Sequence, residues 1–181
     1  MDIQNTKQNN LGFTLLELVV GMGIFGIVLL SVTGIFQQVI NAQRRAVGAQ
    51  LVQENVRYVM EVMAKEIRTA KRNFTTCADV TSGQIFTTVG GTLYLRNQHD
   101  ECAAYFLENN RIKIARDGVE QYVTSDDISV DYLNFSLKSD AQPAVTVMLG
   151  VSTLDTAATG SEIAVQTTIS SRYYLVDEIL Q

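Results

Sequence analysis

At 181 residues the chain fits one domain and does not require two. A formal net charge of −5 and a pI near 4.8 argue against a general nucleic-acid surface, which needs a basic face. Arg44, Arg45, Lys71 and Arg72 leave only a local basic patch open, and solvated or snorkelling charges account for them.

Met1 to Gly12 is polar and rich in Asn and Gln, with Lys7 as its one basic side chain. A secretory signal peptide places its apolar region ahead of the cleavage site. Here the order is a polar leader, then Gly12, then the apolar run. Ordinary secretion with a cut among the small residues Ser31 to Gly34 is the alternative. Phe13 to Phe36 as a helix spans about 36 Å, enough to cross a hydrocarbon core of about 30 Å. Gly21, Gly23, Gly26 and Gly34 lie within it, and small residues let apolar helices approach closely.

Glu17 is the one charged residue between Phe13 and Phe36. A carboxylate there costs about 2.5–3.5 kcal/mol on insertion scales. Two readings account for it. Thr14-Leu15-Leu16-Glu17 has the form of a capping box, with Glu17 reaching back to the helix start. Alternatively, a chain beginning at Phe13 carries a free ammonium, a partner for a carboxylate in a low-dielectric bundle. The box loses its clear role in that second case.

The run Leu11-Gly12-Phe13-Thr14-Leu15-Leu16-Glu17-Leu18-Val19-Val20 resembles the processing signal of type IV prepilins and type II secretion pseudopilins. The resemblance implies that a prepilin peptidase/methyltransferase cuts after Gly12 and methylates Phe13. It also implies that Glu17 serves assembly by neutralising the N-terminal amine of a neighbouring subunit. The implied partners are other pilin or pseudopilin subunits and an inner-membrane assembly platform, with no cofactor. The implied location is a single pass of the inner membrane with an extracytoplasmic head. Many major pilins carry a kinking proline in the apolar helix, whereas this chain has Gly34 there and no proline before Pro143. That departure favours a minor pilin or pseudopilin. Gln53 to Tyr58 and Glu66 to Ala70 resemble the same helix region of W-type minor pilins and J-type pseudopilins.

Beyond the apolar run, Val52, Val56, Val59, Met60, Met63 and Ile67 form an apolar stripe at helical spacing. A helix over 13–72 is predicted, with Gly48 as its weak point. After Arg72 the period changes to two. Gln84–Val89 and Thr92–Arg96 flank Gly90-Gly91, and Cys102–Glu108 and Arg111–Ala115 flank Asn109-Asn110, both hairpin signals. Ile128–Leu137, Ala144–Ser152 and Glu162–Leu175 read as longer strands, while Asp117-Gly118 reads as a loop. The expected fold class is α+β, a long N-terminal helix packed on an antiparallel sheet. The expected divisions are a leader at 1–12, a transmembrane or filament-core helix at 13–36, an amphipathic continuation at 37–72 and a β-rich head at 73–181.

Cys77 and Cys102 match neither a zinc site nor a CxxC motif. Outside the cytoplasm, a disulfide closing a loop of about 25 residues contributes about 3 kcal/mol. In a reducing compartment they are two buried thiols. His99 is the single histidine, so no metal cluster or triad built on two histidines exists. Asp126, Asp127 and Asp131 lack EF-hand spacing and read as an acidic turn rather than a calcium site. No P-loop, GxSxG or HExxH is present. Tyr94, Tyr105, Phe106, Tyr122, Tyr132, Phe135, Tyr173 and Tyr174 read as sheet-packing residues.

The expected function is therefore structural, a non-enzymatic subunit of a type IV pilus or secretion pseudopilus. The alternative is a single-span, membrane-anchored binding module such as an adhesin or DNA-uptake receptor.

Overall fold

The structure, a computed structural model, describes residues 12–154 and 162–173. The chain divides into two units, Met1–Ala42 and Gln43–Gln181, and the helix α1 (Leu15–Thr69) contributes to both.

In the first unit, α1 opens where Thr14 caps it. The Thr14 Oγ1 accepts the Glu17 N–H at 3.3 Å, satisfying one of the four orphan donors of a helix start. The return half of the capping box, from the Glu17 carboxylate, is not formed among the described residues. The hydroxyls of Ser31 and Thr33 donate to the carbonyls of Ile27 and Leu29, at 2.9 and 2.8 Å. Each hydroxyl is thus satisfied within the helix, which an apolar surrounding demands. By length and composition α1 contains a stretch able to cross a membrane.

In the second unit, Gly48, Val52, Val56, Val59, Met63 and Ile67 form the buried face of α1. Met60 is half-buried beside them. The helix stops at Thr69 rather than the predicted Arg72. The cause is a competing set of partners: the Lys71 N–H donates to the Arg96 carbonyl at 2.8 Å, and the Asn73 N–H to that of Gln84 at 2.9 Å. Sheet pairing captures the chain before another helical turn forms.

Two antiparallel sheets follow, where one was expected. The first has five strands in the order β1-β2-β3-β4-β5, comprising Phe86–Val89, Thr92–Arg96, Cys102–Glu108, Arg111–Arg116 and Val119–Tyr122. The second has three, β6-β7-β8, comprising Ile128–Lys138, Ala144–Thr153 and Glu162–Ser170. The first strand begins two residues later than expected. The last ends at Ser170, because the Ser171 N–H turns to the Pro143 carbonyl and the Arg172 N–H to that of Arg68. Tyr174 and Leu175, expected to extend it, lie outside the described residues.

Three two-residue turns join the first sheet. Gly90-Gly91, Asn109-Asn110 and Asp117-Gly118 all hold positive φ at both positions, from 46° to 83°. This geometry suits the twist of a hairpin, and Asn, Asp and Gly tolerate it best. Asp117-Gly118, expected as a loop, is a hairpin turn. The strand it introduces was missed because Val119–Tyr122 is exposed along its whole length and shows no apolar alternation.

The buried stripe of α1 meets both sheets in a single core. Leu93, Leu95, Tyr105, Ile112 and Ile114 come from the first sheet, and Ile128, Val130, Leu133, Val145, Val147, Leu149 and Val151 from the second. The Val130 N–H donates to the Asn110 carbonyl at 2.8 Å, stitching the β3–β4 turn to β6.

Candidate functional site

The motif residues sit together because they are adjacent in the chain. Gly12 and Phe13 precede the helix, Thr14 caps it, and Glu17 occupies its first turn. Phe13 is 84% exposed, and Glu17 is exposed as well. The Thr14 cap lies wholly on the C-terminal side of the Gly12–Phe13 bond. A cut at that bond therefore leaves the cap in place, and the capping and free-amine readings of this segment are compatible rather than exclusive.

The helix beyond is apolar on all sides and exposed, including Leu16, Val20, Ile24, Ile27 and Leu30. Built Cβ atoms at Gly21, Gly23, Gly26 and Gly34 meet nothing within 4 Å. Such a surface needs an apolar medium or other helices around it.

In the head, charged residues to which the sequence assigns no structural role join the helix to the first sheet. Glu66 is the acid that α1 carries into the head's polar network. Its Oε1 accepts from Arg116 Nε at 3.0 Å and Nη2 at 2.7 Å, while its Oε2 accepts the Tyr105 hydroxyl at 2.7 Å. Burial raises the Tyr105 phenol far above its ordinary value, and the neighbouring Glu66 carboxylate adds to the rise. Burial opposes the charge on Arg116, but Glu66 outweighs it and the pKa rises. A polar groove of about 450 Å³ runs beside this network, with Lys65 and Arg116 balanced by Glu66 and Glu101.

Asn73 was also missed. It is buried, and its Nδ2 donates to the carbonyls of Cys77 and Val80 at 2.8 and 2.6 Å while its Oδ1 accepts the Cys77 N–H. Cys77 and Cys102 form a disulfide, which fastens this loop to β3. Nothing in the local sequence distinguishes Asn73 from the chain's solvated asparagines.

The remaining candidates are dispersed. The His99 ring faces the Gln98 amide across 3.0 Å, and the His99 backbone N–H donates to Asn97 Oδ1. Asp127 accepts from Ser125, and Asp131 from Ser152. Among the described residues no group of three or more His, Cys, Asp or Glu converges to hold a metal.

An apolar helix that opens just after a Gly-Phe junction, with one acid in its first turn and antiparallel sheets following in the chain, is an α+β arrangement consistent with a pilin-like fold. Residues 7–33 match the family model described as the prokaryotic N-terminal methylation motif. The motif implies processing by prepilin peptidase and association with a membrane. No curated protein and no solved structure matches the chain.

Proposed function

We propose that the chain is a minor subunit of a type IV pilus or type II secretion pseudopilus, cut after Gly12, methylated at Phe13 and assembled through its N-terminal helix. The observation that carries this reading is Glu17, the only charge between Phe13 and Phe36, exposed in the first turn just beyond the cut. Cleavage creates an ammonium at Phe13. Packed among apolar helices, either charge alone is costly to bury, and the two together offset much of that cost. A Glu17 carboxylate set against a neighbour's Phe13 amine therefore favours a staggered filament over other helix bundles. The glycines permit the close approach such packing requires.

The head then faces the extracytoplasmic side after a single membrane pass, and the Cys77–Cys102 disulfide supports an oxidising compartment. The absence of a proline between Phe13 and Phe36 supports a minor rather than a major subunit. Other subunits and the inner-membrane platform are its partners.

Mass spectrometry of the native N-terminus tests the processing step: the expected chain starts at methylated Phe13. One that starts beyond Ser31, or is uncut, rejects the reading. Glu17→Ala tests assembly. Loss from filaments with a folded head is expected, whereas incorporation at the wild-type level favours a membrane-anchored binding module.

A further inference from the structure

The alternation that buries Leu93, Leu95, Ala103 and Tyr105 places their neighbours on the opposite face of the five-stranded sheet. At the centre of that face the register sets Tyr94 beside Ala104, and Ala104 beside Ala115. Two methyl groups side by side, with Tyr94 and Phe106 around them, leave a depression in the sheet. Its volume is about 380 Å³.

The rim is built from two separate loops. On one side stands the segment carrying Asp79, held over the sheet by the Cys77–Cys102 disulfide and by the hydrogen bonds of Asn73. On the other stands the Asp117-Gly118 turn. There Asp117 spends Oδ1 on the Cys102 N–H at 3.0 Å, and its second oxygen has no partner among the described residues. The lining contains these two carboxylates and no Lys, Arg or His. The floor is methyl and aromatic, and both charged residues of the lining are acidic; Lys113, opposite Phe106 in the register, is held by Glu108 and Glu120.

We infer that this depression is a docking site for an arginine side chain presented by a partner protein. Its apolar floor suits the aliphatic stem, and Tyr94 and Phe106 provide the aromatic surroundings that attract a guanidinium. Asp79 and Asp117 supply the complementary charge. A guanidinium is more weakly hydrated than an ammonium, so it enters a partly apolar cavity at lower cost. The acidic rim repels phosphate, which disfavours DNA as the occupant. The site lies wholly in the head and does not depend on processing or assembly of the helix.

The test uses the full chain in detergent micelles with methyl-labelled alanine, titrated with acetyl-Gly-Arg-Gly-amide while the Ala104 and Ala115 signals are followed by NMR. Saturable shifts at both methyls are expected. The citrulline counterpart, equal in shape but neutral, is expected to bind at least about threefold more weakly, the scale of an exposed ion pair. Asp79→Asn and Asp117→Asn are each expected to weaken arginine binding about threefold and to leave citrulline binding unchanged. Asn tolerates the positive φ at position 117 and keeps an acceptor for the Cys102 N–H. Equal binding of the citrulline peptide overturns the proposal, as does the lack of a saturable shift. Shifts produced by glucose and not by the arginine peptide overturn it too, in favour of a saccharide site.

Discussion

Arg116 on β4 grips Glu66 on α1 through two nitrogens directed at one carboxylate oxygen, 3.0 and 2.7 Å away, although the two residues are 50 positions apart. The other oxygen is taken by Tyr105 of β3, so one helical acid fastens two adjacent strands. The Glu66 side chain is 14% exposed and that of Arg116 36%, so the pair is neither a screened surface contact nor a dry one. Its partners depend on one another. Each hydrogen bond satisfies a group that burial would otherwise leave costly.

Removing one member should therefore cost more than the bond it makes. Tyr105→Phe leaves Glu66 with an unmet acceptor and should destabilise the head by about 1–2 kcal/mol. Glu66→Ala strands both Arg116 and the Tyr105 hydroxyl, and should cost about 2–3 kcal/mol after allowance for the exposure of Arg116. Urea unfolding of the full chain in micelles measures both. In the double variant the losses should be clearly less than additive, as for residues of one network.

The same tyrosine sets an alkaline limit. Burial first, and Glu66 second, raise its folded-state pKa above the unfolded value of about 10. Its contribution is fully present below about pH 10 and is lost as pH rises further, because the unfolded chain releases the proton first. Phenolate absorbance should show Tyr105 silent until the head unfolds. Tyr105→Phe should flatten the fall in stability above that pH.

Asn73 and the disulfide act on one loop by different means. Asn73→Ala removes one buried acceptor and two donations to the carbonyls of Cys77 and Val80, and should cost about 2–3 kcal/mol. Reduction of Cys77–Cys102, separated by 25 positions, should cost about 3 kcal/mol through the freedom returned to the unfolded chain. Hydrogen exchange separates them. Asn73→Ala should speed exchange of the Cys77 and Gly83 amides, while reduction should lower global stability more than local protection.

Gly150 on β7 lies opposite Tyr132 on β6, just past the register shift between Val130 and Tyr132. A Cβ at position 150 would fall 2.3 Å from Tyr132 Cε1, so the ring covers the glycine closely. Gly150→Ala should cost about 1–2 kcal/mol as the ring is displaced. The ring is 39% exposed and has room to swing outward, which keeps the cost at the low end. With Tyr132→Ala already made, Gly150→Ala should become nearly neutral in thermal unfolding.

The sequence alone determined what depends on near neighbours along the chain. The apolar run with its single acid, the stripe from Val52 to Ile67, and the hairpins at Gly90-Gly91 and Asn109-Asn110 are all patterns with a short period or a fixed turn chemistry. The Gly12–Phe13 junction and Glu17 stand out as candidates for the same reason, lying close together in the chain. The end of α1 at Thr69, the division into two sheets, the exposed strand Val119–Tyr122 and the groove over Ala104 and Ala115 were decided only in three dimensions. So were the roles of Glu66, Arg116, Tyr105 and Asn73. A polar side chain carries no periodic mark of its burial. Whether it is solvated or forms the centre of a network depends on partners brought to it by register and packing, 50 residues away in the case of Glu66 and Arg116.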